Sequence, residues 1–196
     1  MDQATKDGLN IAFNEASLLG IEVAADIALA GITLSVLTLP DDTNGPPADP
    51  RISVSLDGVT RIAASLRNGR WDDTSAKAES FEIGKLFPIV ASFGFQPVYG
   101  WDFFDRHEDF KTWNQRLSLD LELSNKKVSN SITLFQEATD RHLDVRIWFA
   151  ELDLYDPDGN ELNVSDVIEG GKRWWDAIAK KDPRIQHAGI VASKDE

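Results

Sequence analysis

The sequence predicts an α+β fold: a mainly antiparallel β-sheet or sandwich of about seven to nine strands, a short N-terminal helix, and one C-terminal helix packed on the sheet. Three observations carry this expectation. Leu117, Leu119, Leu121 and Leu123 alternate with Ser118, Asp120 and Glu122, which puts one face of a strand in a core and the other in water. The segments joining the later strands are too short for the crossovers that parallel pairing demands. Clear helical periodicity occurs near the two ends of the chain.

Taken in order, residues 5–19 fit a short helix. Leu9, Phe13, Ala16 and Leu19 recur at helical spacing, and Gly20 is placed to stop it. Ile21 and Val23 alternate, residues 24–26 turn, and Ile32, Leu34 and Val36 alternate again, giving a strand, a turn and a longer strand. "PDDTNGPPADP", Pro40–Pro50, holds four prolines and reads as a long surface loop. Ile52, Val54 and Leu56 form one strand face and Ile62, Ala64 and Leu66 another. The break at Asp57–Gly58 between them reads as a bulge or tight bend. Residues 70–80 form a polar loop, 81–95 do not separate helix from strand, and 96–105 make a strand.

Residues 117–124, 131–138 and 143–156 read as an antiparallel meander. Within the last of them the apolar phase slips to Leu152 and Leu154, which predicts a bulge at Ala150–Glu151. Asp158–Gly159 supplies a turn. Asn163 or Ser165 caps the C-terminal helix, Lys180 and Lys181 close it, and Asp182–Pro183 ends it. Val167, Gly171, Trp174 and Ile178 fall on one stripe. Two adjacent glycines in this helix imply close packing or a break. One α+β domain over 1–183 with a poorly ordered tail at 184–196 is the resulting organisation.

Composition excludes several kinds of chemistry. The 196 residues contain no cysteine, which removes disulfides, thiolate nucleophiles, zinc ribbons and iron–sulfur clusters. Acids outnumber bases 33 to 20, for a net charge of −13. The excess is spread along the chain, with no basic stretch to neutralise a nucleic-acid backbone, so no nucleic-acid partner is expected. "MDQATKDGLN" has no basic start followed by an apolar run, and the uncharged stretch Ile27–Pro40 is shorter than the about 20 residues a spanning helix needs. A cytoplasmic protein without membrane contact is the expectation.

The stretch richest in chemistry is "YGWDFFDRHEDFKTW", Tyr99–Trp113. A hydrolytic or metal reading recruits Asp102, Asp105, His107, Glu108 and Asp109. His107-Glu108 opens like a zincin helix, yet position 111 is Lys, so the second ligand is missing. His142 and Asp144 form the one similar pair. The plainer reading makes Tyr99, Trp101 and Phe103 a strand face and "DRHED" a charged turn. "DPDGNEL" lacks the glycine and glutamate positions of a calcium loop, and "EGGKRWW" lacks P-loop spacing. Serine-hydrolase and dinucleotide signatures are missing too. No metal or cofactor is expected.

The function expected from these residues is a non-enzymatic, acidic protein-binding domain, in the manner of inhibitors and immunity-type proteins. Charge steers such an encounter and aromatic residues anchor it. Its contact residues would be Trp101, Phe104, Asp105, His107, Trp113, Trp174 and Trp175, and its partner a protein with a basic surface. One alternative is a small-ligand or metal-dependent hydrolytic enzyme with its site at the strand ends near Asp102–His107. Another is a homodimer whose interface takes up the aromatic surplus.

Overall fold

The computed structural model describes residues 1–185 apart from Asp42, Thr74, Val98 and 104–116, and describes residues 99–103 as backbone alone. Helix α1 (Gln3–Phe13) opens where the Asp2 carboxylate accepts a hydrogen bond from the Thr5 amide at 2.8 Å. It buries Leu9, Ala12 and Phe13 and stops at Asn14, short of the expected residue 19. Residues 17–19 belong instead to a strand, because Glu15 takes a left-handed φ of 58° and turns the chain.

Strands β1 (Ser17–Ala24), β2 (Leu29–Ser35) and β3 (Arg51–Asp57) follow. Then come β4 (Arg61–Asn68), β5 (Lys77–Ala78), helix α2 (Leu86–Ala91) and β6 (Tyr99–Phe103). The rest are β7 (Leu119–Glu122), β8 (Asn130–Ala138), β9 (Arg141–Phe149), β10 (Glu151–Tyr155), β11 (Glu161–Leu162) and helix α3 (Val164–Lys180). Among the described residues they build a five-stranded sheet, β1-β2-β3-β10-β11, and a six-stranded sheet, β5-β4-β9-β8-β6 with β7 also on β4. All named pairings are antiparallel. The architecture is the predicted α+β class. The strand number exceeds the expectation partly because β5 and β11 are two residues each, too short to leave a pattern.

The expected meander is corrected. β8 and β9 form its hairpin, but β7 pairs with β4, and β10 leaves for the other sheet. The bulge read at Ala150–Glu151 is the crossing point between sheets. The break at Gly58, where φ is +62°, is the matching crossing from β3 to β4. The two corners lie against each other: Ala150 N–H donates to Asp57 O and Thr60 N–H to Trp148 O, both at 2.9 Å. A single antiparallel ribbon therefore bends from one sheet into the next.

Between the sheets lies one continuous apolar core. Ile21, Ile32, Val54 and Leu154 come from the first sheet, and Ile62, Leu134, Val145 and Ile147 from the second. Residues 81–95, ambiguous in sequence, contain a single helical turn at Ile83–Lys85 and then α2, which buries Leu86 and Val90.

Helix α3 is capped as predicted, Asn163 accepting from the Ser165 amide at 2.8 Å. Its buried side is Ile168, Gly170, Gly171, Trp174 and Ala177, while the predicted Ile178 is 38% exposed. The stripe differs because the helix has two neighbours. Ile168 and Gly171 meet α1, and Trp174 and Ala177 meet Leu39 in the segment leaving β2. A Cβ on Gly171 would lie 2.5 Å from the Ala12 Cα, so only glycine permits this crossing. Ile168 also joins the inter-sheet core, which ties the helix to the sheet. Among the described residues no helix is long and apolar enough to cross a membrane.

Candidate functional site

The face of the second sheet turned away from the core is unusual. Alternation should make it a solvated polar surface. Instead Ser65, Arg67, Ser131, Thr133, His142, Arg146 and Trp148 are all buried there. The register sets them in rows. Arg67, His142 and Glu137 are opposite one another across β4, β9 and β8. The next row is Ser65, Asp144 and Phe135, and the next Ala63, Arg146 and Thr133. Arg61, Trp148 and Ser131 make the fourth. Burying charged groups in this way is costly unless they are paired or hydrogen-bonded, so their partners decide what the face can do.

Most of the bases are held. Arg146 Nε donates to Thr133 Oγ1 at 2.9 Å, and Arg67 Nε to Ser65 Oγ at 3.2 Å. The guanidinium carbons of Arg61 and Arg146 lie 5.5 and 5.8 Å from the centroid of the Trp148 ring. Arg61 also grips the Asp120 carboxylate through two hydrogen bonds, at 2.8 and 2.7 Å. His142, 2% exposed, has Nδ1 2.9 Å from the Gly69 carbonyl oxygen. A carbonyl only accepts, so Nδ1 carries a proton. Gly69 makes this possible. Its φ is +151°, and a Cβ there would fall 2.7 Å from the Ala76 Cβ.

Asp144 differs from these neighbours: it makes no hydrogen bond or ion pair among the described residues. Burial pushes its pKa up to about 6, against the opposing pull of His142, Arg67 and Arg146. It lines a recess of about 400 Å³ together with Arg67, Trp71, Phe135, Glu137 and His142. The Phe135 and His142 rings stand 6.0 Å apart, tilted by 43°. Trp71, 61% exposed, is the most exposed aromatic residue among those described. It sits in the loop that brings Gly69 to His142. Among the described residues no group of three His, Asp or Glu is placed to hold a metal ion.

The predicted contact residues are dispersed. Phe104, Asp105, His107 and Trp113 lie outside the described residues, as does the side chain of Trp101. The backbone of Asp102 is opposite Thr133 in the β6–β8 register. Trp174 is 1% exposed and packs with Leu39 and Ala177, so core packing accounts for it. Trp175 is half-buried, and its indole N–H donates to the Ile11 carbonyl at 3.0 Å, satisfying an end of α1. The structure brings none of the described members of that set to the recess.

The recess residues Arg67, Trp71, Phe135 and Glu137 escaped sequence reasoning, although His142–Asp144 was visible as a pair. One signal was present: Trp148 falls on the same strand face as His142, Asp144 and Arg146, out of phase with Leu143, Val145 and Ile147. No protein-family model matches the chain, and a search of curated proteins finds no match.

Proposed function

We propose that this chain is a non-enzymatic binding domain whose partner is a protein with a basic surface. The observation that carries the reading is Trp71, 61% exposed on the rim of a recess that contains a carboxylate without an intramolecular partner among the described residues. Exposed tryptophan is the residue type most enriched at binding hot spots. The net charge of −13 favours encounter with a basic surface. Wild type and Trp71→Ala, immobilised separately, are to be exposed to native lysate at low and high salt. A specific protein retained by the wild type, lost with the substitution and weakened by salt, supports the reading. Equal retention by both, or a stoichiometric metal in the purified protein, overturns it.

A second reading is a small-ligand enzyme using the same recess. It draws on Asp144, whose pKa of about 6 makes it a proton donor near neutrality, beside the oriented imidazole of His142. That pair would replace the Asp102–His107 cluster as the acid–base site. Turnover in a substrate screen that disappears with Asp144→Asn would favour this reading over the first.

A further inference from the structure

We infer that the recess lined by Arg67, Trp71, Phe135, Glu137, His142 and Asp144 is a socket for the guanidinium group of an arginine side chain on the partner protein. The inference rests on the protein-binding reading above and specifies what that partner presents.

The polar atoms of the recess differ in how far they are already satisfied. Arg67 is held by Ser65 and by further contacts of its own. His142 has committed its Nδ1 proton to the Gly69 carbonyl. Asp144 and Glu137 make no hydrogen bond or ion pair among the described residues. What remains is the two carboxylates, with Arg67 as the cation already present in the lining. A phosphate or carboxylate would bring further negative charge and leave both carboxylates unpaired. The complementary occupant is rich in N–H donors and positively charged.

Shape narrows the choice further. The two carboxylates come from β8 and β9, on adjacent rows of one sheet face. The aromatic rings of Trp71 and Phe135 complete the lining. A guanidinium is flat, carries five donors around its edge and stacks on aromatic faces. It is also less strongly hydrated than an ammonium and enters a half-buried site at lower cost. A volume of about 400 Å³ admits such a side chain with room for its stem. Burial holds Asp144 partly protonated near neutrality, and an arriving cation would draw its pKa down again.

The test uses acetyl-Gly-Arg-Gly-amide as probe and follows the Trp71 indole N–H by NMR, assigned with Trp71→Phe. The arginine peptide is expected to shift this resonance to saturation. The citrulline peptide, equal in shape but uncharged, should bind at least about tenfold more weakly. Asp144→Asn and Glu137→Gln should each weaken the arginine peptide by a similar factor, with spectral dispersion confirming the fold. Citrulline or glutamate peptides acting as well as arginine would overturn the socket, and that comparison requires no variant. So would an arginine peptide that leaves the resonance in place at its solubility limit. Repeating the lysate capture with Asp144→Asn separates the two claims. A partner kept by Asp144→Asn but lost with Trp71→Ala removes the socket and leaves the protein-binding reading intact. A partner lost with neither removes both.

Discussion

Replacing Asp144 with asparagine removes a charge that the fold holds at a cost. Its carboxyl has a pKa of about 6 in the folded chain against an ordinary 3.8, chiefly because burial penalises the charged form. A difference of about two units, at 1.36 kcal/mol each, is on the order of 3 kcal/mol. The sign follows from the raised value. The folded state favours the protonated acid, so the contribution is fully present below the unfolded pKa and is lost as pH rises through the folded one. The amide of the Asp144→Asn variant has no such titration. The stability of the variant relative to wild type should therefore be constant below about pH 4, climb between about pH 4 and 6, and level off above about pH 7, by about 3 kcal/mol in all. For a chain of this size that corresponds to a melting difference that grows by about 6–12 °C across the window. Urea unfolding of both proteins through this pH series measures it, and other titrating groups cancel in the comparison. A difference that stays flat with pH, or that shrinks as pH rises, would refute the assignment of Asp144 as a desolvated carboxylate.

Three further outcomes are expected. Gly171→Ala places a methyl 2.5 Å from the Ala12 Cα and should destabilise the chain by about 1–3 kcal/mol in urea unfolding, since backbone on both helices must shift. Gly69→Ala should displace the carbonyl that holds His142, and ¹⁵N spectra of the imidazole should show Nδ1 losing its fixed proton while the far-UV circular dichroism is unchanged. Trp71→Ala should change stability by no more than about 0.5 kcal/mol, the norm for an exposed side chain, while abolishing partner capture.

The elements themselves were largely legible. Alternation located β2, β3, β4, β8 and β9, and cap chemistry at Asn163 located the start of α3. The apolar phase slip at Ala150–Glu151 marked a true discontinuity, but local pattern does not tell a bulge from a change of sheet. That choice is made by long-range contacts between the Gly58 and Ala150 corners. β7 paired with β4 rather than its sequence neighbour for the same reason: alternation says which face is buried and not which strand lies alongside. The site was obscured by the same pattern. His142, Asp144 and Arg146 alternate with Leu143, Val145 and Ile147, and such polar positions normally face water. Only the fold reveals that His142 and Arg146 are buried and Asp144 partly so, and that Arg67 and Trp71, some seventy residues earlier, share a recess with His142 and Asp144.

Asp144 is central: among the described residues its carboxylate has no hydrogen-bond or ion-pair partner, and an arriving cation would supply one. Carbon-13 NMR titration of its side-chain carboxyl measures this directly. A midpoint near about pH 6 that falls when the arginine peptide is added is the result predicted here. A midpoint near the ordinary 3.8, unmoved by the peptide, would contradict it.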